Sequence, residues 1–194
     1  MKKDERKLSK MIVMVFMAFT LVGMTFSFLF FGFDSSDKKI KYKDFKFIYD
    51  QQNQAWMVKV KDKYAAFTYI PSDVEGINIT ADLALLKNKP EIDSTYNLND
   101  TNADVIALAQ HQMWLTLQNY EVYMRTGALS GNKYNLPLIN CSAATPSIPV
   151  VYFKTGNSTQ IMQQGDCIII QANERLDFLR AKDRISYSIL GILG

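Results

Sequence analysis

The stretch Met11–Phe33, MIVMVFMAFTLVGMTFSFLFFGF, contains no charged residue, and only Thr20, Thr25 and Ser27 interrupt it as polar side chains. At about 1.5 Å of rise per residue, a helix of this length crosses a hydrocarbon layer about 30 Å thick. Everything after it is polar enough to be soluble in water. The expected architecture is therefore an uncleaved anchor followed by one folded domain. A secretory signal peptide fits less well, because its apolar core is usually about 7–15 residues and ends in small residues. This run ends Phe30-Phe31-Gly32-Phe33-Asp34. No cysteine lies beside it to carry a lipid, and a pilin-type processing site would need Gly or Ala where Lys7-Leu8-Ser9-Lys10 stands.

Working outward, residues 1–10 form a basic leader, expected in the cytoplasm, and 11–33 the transmembrane helix. Residues 34–43 (DSSDKKIKYK) read as a polar linker, and 44–194 as the folded domain. Lys2, Lys3, Arg6, Lys7 and Lys10 favour an inside N-terminus, but Lys38, Lys39, Lys41, Lys43 and Lys46 follow closely on the other side, so the positive-inside rule nearly ties. Two observations break the tie towards an extracytoplasmic domain. The only cysteines, Cys141 and Cys167, both fall in the soluble part, and oxidised pairs persist outside the cytosol. Four glycosylation sequons begin at Asn78, Asn99, Asn140 and Asn157, where composition predicts roughly one or two.

Composition bounds the function. About 155 residues remain beyond the anchor, enough for one domain with a real core. The formal net charge is +3, part of it from the leader, so no basic stripe suited to nucleic acid is expected. The basic residues flanking the anchor suit lipid headgroups.

Elements follow from periodicity. Phe45–Tyr49, Ala55–Val60 and Tyr64–Tyr69 read as a β-meander closed by Pro71. A short helix is predicted within 80–86 and a strand over Ile92–Leu98. Thr101 or Asn102 caps a helix with Ala103, Ile106, Ala109, Met113 and Leu117 on one face. Tyr120–Arg125 alternates as a strand does. Ile148–Phe153 and Cys167–Gln171 are β-prone, with a turn at Thr155–Ser158 between them. Asn173 caps a last helix whose stripe is Phe178, Ala181, Ile185, Ile189 and Ile192. The order predicts an α+β domain with one mixed sheet and a C-terminal helix.

Each candidate for chemistry has an ordinary reading beside it. Cys141 and Cys167 would close a loop of about 25 residues, worth roughly 3 kcal/mol as a disulfide. Free buried thiols are the other reading, and a redox couple lacks the CxxC spacing. His111 is the only histidine, with no nucleophile motif to serve and too few companions for a metal site. The acidic pairs Asp73/Glu75, Asp100/Asp104 and Asp177/Asp183 could run a hydrolase, but turn chemistry, a helix start and surface ion pairs account for them. The nine glycines form no phosphate-binding loop, so no cofactor is expected. The aromatics Phe47, Tyr49, Trp56, Tyr64 and Tyr69 read as core on one sheet face and as an interaction patch on the other.

Several blocks carry a resemblance. They are Tyr69-Ile70-Pro71-Ser72-Asp73-Val74-Glu75 after the meander, Cys141-Ser142-Ala143-Ala144-Thr145, Ile148-Pro149-Val150-Val151-Tyr152-Phe153, Gly165-Asp166-Cys167-Ile168-Ile169-Ile170, and Asp183-Arg184. With the basic start and single anchor, the chain resembles uncharacterised single-pass membrane proteins of archaeal genomes, small-genome lineages in particular. The resemblance supplies no catalytic residues and implies an archaeal envelope setting. The expectation is a domain held to the bilayer through 11–33 that binds a protein partner in the membrane or envelope. The alternative is a membrane-tethered hydrolase using carboxylates.

Overall fold

The computed structural model describes residues 38–130 and 134–194, so the leader and the expected anchor lie outside the described residues. Among the described residues no helix is long and apolar enough to cross a membrane. Residues 38–194 form one α+β unit that contains two sheets rather than the single mixed sheet expected.

The first sheet is an antiparallel meander of β1 (Lys39–Tyr42), β2 (Phe45–Asp50), β3 (Ala55–Val60) and β4 (Lys63–Phe67), in that spatial order. β1 occupies part of the segment read as linker. Its KIKY sequence alternates too briefly to signal a strand, and pairing with β2 makes it one. Each hairpin turn uses a non-glycine residue at positive φ, namely Lys43, Gln54 and Lys61. Asp50 closes the second turn by accepting the Gln52 N–H at 2.9 Å, as turn-forming aspartates do.

A short helix α1 (Pro71–Val74) follows, with proline at its first position, where its missing N–H costs nothing. The helix expected within 80–86 is a single 3-10 turn, Leu83–Leu86, whose Ala84 N–H donates to Asp82. Lys87-Asn88-Lys89-Pro90 leaves no room to extend it.

The second sheet has the order β5 (Asn78–Ile79), β9 (Gln160–Gln164), β10 (Cys167–Ala172), β8 (Val150–Thr155), β6 (Glu91–Tyr96) and β7 (Tyr123–Thr126). β10, β8, β6 and β7 run parallel, and β9 is antiparallel to β10. The parallel strands need crossovers, and α2 (Ala103–Gln118) supplies the one between β6 and β7. β10, reading CIIIQA, is buried at five of its six positions, the near-continuous apolar run of a strand covered on both faces.

The last helix, α3 (Arg175–Ile189), packs against β10 and α2. Its N-cap is Glu174, not Asn173, with no side-chain cap bond. The expected stripe is in place: Phe178, Ala181 and Ile185 are fully buried, and Ile192 and Leu193 are docked just beyond the helix. The main core joins this stripe to Ile106, Ala109, Met113 and Leu117 of α2, to Phe153 and Ile170 of one sheet, and to Phe47, Val58 and Phe67 of the other. A second, smaller core of Ile139, Val150, Cys167 and Ile169 includes Cys141 and Ala144 at its edge. Gly127 admits the chain beside it, since a Cβ there would stand 2.7 Å from the Pro137 carbonyl oxygen.

Candidate functional site

The strand register divides the predicted aromatics between two faces. Tyr49 pairs with Trp56 and Trp56 with Phe67, while Phe47 pairs with Val58 and Val58 with Ala65. These two rows share one sheet face, because side chains two apart point the same way. Phe47 is fully buried and Tyr49 and Trp56 are half-buried, their rings 5.1 Å apart edge to face. Tyr64 pairs with Lys59 on the opposite face and is 54% exposed. Tyr69 lies beyond β4, with its N–H donating to Asp183. The five side chains therefore form no common surface, and Phe47 belongs to the core.

A different surface is built on α2. Its buried stripe leaves Leu108 and Leu115 pointing outward, 45% and 42% exposed, seven residues apart on one helical line. Exposed His111 lies between them and stacks on Trp114, with ring centroids 5.5 Å apart. A cavity of about 590 Å³ flanks this ridge, lined by Met57, Tyr64 and Ala66 of the meander, Gln112 and Leu115 of α2, and Lys182. On the other flank a cavity of about 260 Å³ is lined by Tyr96, Gln110, Trp114 and Thr126. Gln110 is buried and donates to the Ser94 hydroxyl at 2.5 Å, while its Oε1 has no partner among the described residues. Leu108 and Leu115 were legible as a second apolar spacing on the helix, overshadowed by the stronger buried stripe.

Lys182 and Asp183 are the chain's most deeply buried ion pair among the described residues. Asp183 was expected on the surface among arginines, but its side chain is 0% exposed and that of Lys182 2%. Lys182 Nζ stands 2.5 Å from Asp183 Oδ1 as an ion pair outside hydrogen-bonding angles. Asp183 Oδ2 accepts the N–H groups of Thr68 and Tyr69, each at 2.9 Å. Burial pushes the Asp183 carboxyl above its ordinary range, against the pull of Lys182 and the two amides. The burial follows from α3 lying between α2, β10 and the meander, which leaves little of the helix to solvent. Thr116 of α2 and Tyr120, just beyond that helix, complete the edge of β4 by donating to the carbonyls of Ala66 and Lys63.

The acidic pairs considered for hydrolysis do not converge. Glu75 accepts the Tyr42 hydroxyl, and the Asp73 carbonyl accepts Arg180. Asp100 accepts the Thr155 N–H and hydroxyl, whereas Asp104 meets Arg175 through two bonds of 2.9 and 2.5 Å. Asp177 pairs with Arg180 at 3.1 Å. A further pair, Arg125 with the buried Asp93, joins β7 to β6 at 2.8 and 2.6 Å. Its partners are distant in sequence, so no local spacing announced it. Among the described residues no group of three His, Cys, Asp or Glu could hold a metal ion.

Cys141 and Cys167 form a disulfide with Cα atoms 5.2 Å apart. Asn140 precedes it and caps the 3-10 turn Cys141–Ala143, its Oδ1 accepting the Ser142 N–H at 3.0 Å. All four sequon asparagines, Asn78, Asn99, Asn140 and Asn157, are exposed. Comparison with family models, curated proteins and solved structures gives no match for this chain.

Proposed function

We propose that the chain is a single-pass membrane protein whose 38–194 domain stands outside the cytosol and works by binding a protein partner in the membrane or envelope. The observation that carries the binding role is the exposed Leu108–Leu115 ridge with a cavity on either side. Apolar side chains left in water lose the stabilisation that burial against a partner returns. A helix ridge between two recesses offers a partner both an apolar contact and places for its own side chains.

Location is supported by three features of different origin: the uncharged run 11–33, the disulfide, and the exposure of all four sequon asparagines. The carboxylate hydrolase gains no such support, because Glu75, Asp100, Asp104, Asp177 and Asp183 each meet a donor of their own and neither cavity beside α2 is lined by a carboxylate. A photo-crosslinking residue at Leu115 of the full-length protein, activated in its own membrane, is expected to give a discrete adduct with another polypeptide. The same residue at exposed Glu174 is expected to give none. Only uncrosslinked chain at both Leu108 and Leu115 would remove the binding reading.

A further inference from the structure

The meander concentrates the domain's positive charge. Residues 38–64 contain eight lysines and three acidic residues, whereas 65–194 contain nine basic residues and twelve acidic ones. Strand register gathers three of these lysines, Lys41, Lys46 and Lys59, in one cross-strand row. Lys41 lies opposite Lys46, the pairing of Phe47 with Val58 sets Lys46 beside Lys59, and Lys59 lies opposite Tyr64. All four of these side chains are exposed. In the next row on the same face Lys39 lies opposite Ile48, Ile48 opposite Met57 and Met57 opposite Ala66, so three of its four side chains are apolar. The only ion pair of this lysine row among those described is a long one, Lys59 to Asp62 at 3.9 Å.

Like charges facing one another across strands repel and weaken a sheet. A row of three lysines beside a largely apolar row is favourable when an anionic surface stands before it. That surface then takes the ammonium groups while Met57, Tyr64 and the lysine stems meet its less polar depth. Chain length brings such a surface within reach. The uncharged run ends at Phe33 and β1 begins at Lys39, so the intervening segment spans about 20 Å at most. Attraction between a basic patch and an anionic leaflet is strongest within a Debye length, about 8 Å at physiological salt.

We infer that the outer face of the four-stranded sheet, centred on Lys41, Lys46 and Lys59, docks on the anionic lipid headgroups of the bilayer that holds the chain. The inference rests on the anchor reading and adds which face of the domain lies on the membrane. It leaves Leu108, His111 and the smaller recess lined by Tyr96 and Thr126 for a protein partner, since Met57 and Tyr64 line the larger one. Nucleic acid and soluble polyanions present the same charge, but lipid alone is kept within reach by the chain's own tether.

The test is lysine acylation of the full-length protein in nanodiscs of neutral phosphatidylcholine, or with about a third phosphatidylglycerol, read residue by residue by mass spectrometry. In anionic discs Lys41, Lys46 and Lys59 should react at least threefold more slowly than in neutral discs, with Lys154 on the second sheet unchanged. The difference should vanish at 0.5 M salt and should be lost at Lys41 in a K46E/K59E variant. Chain that inserts but labels equally in both discs overturns the docking face alone. Chain that fails to enter discs overturns the anchor reading and this proposal with it. Slowing by added heparin but not by anionic lipid would assign the face to a soluble polyanion and overturn the proposal.

Discussion

Tyr187 lays its ring on Phe67, with centroids 4.0 Å apart and planes 25° from parallel, and so fastens the C-terminal helix to the meander. The same ring meets Phe47 edge-on at 6.0 Å, and its hydroxyl donates to the Tyr69 carbonyl at 2.5 Å. One residue of α3 thus joins three points of the first sheet and the segment leaving it. Tyr187→Phe keeps the stack and loses the hydroxyl bond, so it should cost about 1 kcal/mol. Tyr187→Ala also opens a cavity and should cost about 3–5 kcal/mol. Urea unfolding followed by tryptophan fluorescence separates the two values.

Asp183 supports the same junction by charge. Asp183→Ala leaves the Lys182 ammonium buried without its counter-charge and frees two amide donors, at an expected cost of about 3–5 kcal/mol. A K182M/D183L double variant removes both charges and should be less unstable than the single one, since apolar replacements of a buried pair are often close to neutral. Equal loss in the two variants would mean that the amide bonds from Thr68 and Tyr69, not the charge pair, dominate.

The disulfide holds a smaller core. Cys141 and Cys167 are 26 positions apart, so reduction should lower stability by roughly 3 kcal/mol. The loss should be concentrated around Ile139, Val150 and Ile169, where the second cluster lies. Hydrogen exchange with and without reductant is expected to show faster exchange there first, with the Phe178–Ile185 stretch of α3 still protected.

Acid should act through Asp100. Burial alone would raise its pKa, but the Thr155 hydroxyl and the N–H groups of Asn102 and Thr155 outweigh it and hold the carboxyl below its ordinary 3.8. The folded value lies below the unfolded one, so this stabilisation is complete above the unfolded value and lost as pH falls through the folded value. The side chain is only half-buried. Asp100→Ala should therefore cost about 0.5–1 kcal/mol at pH 7. Thermal melts of the two proteins should converge as pH drops below 3.8.

Much of this architecture was legible where apolar spacing was long. The stripe of α2 from Ile106 to Leu117 and that of α3 from Phe178 to Ile185 lie where periodicity put them, since burying such a face outweighs other preferences. The short elements at the sheet edges and in polar sequence were less legible. β1 and β5 are four and two residues long, and β9 reads QIMQQ with one fully buried side chain, so pairing rather than composition makes them strands. Alternation sends Tyr64 and Trp56 to opposite faces, so the five aromatics share no one surface. Asp183 was misplaced because a charged residue on a helix is ordinarily solvated, and only the layer of β4 above α3 reveals that it is enclosed. Cys141 and Cys167 were readable as a pair because no other cysteine competes.

The most direct test of the account is the redox state of that pair in the living cell. Intact cells are denatured in excess alkylating agent, then reduced and treated with a second, heavier reagent, and the Cys141 and Cys167 peptides are weighed. An extracytoplasmic domain predicts that both cysteines carry only the second label, having been joined until reduction. Both cysteines carrying the first label would mean free thiols in the cell and would contradict the placement of the domain outside the cytosol.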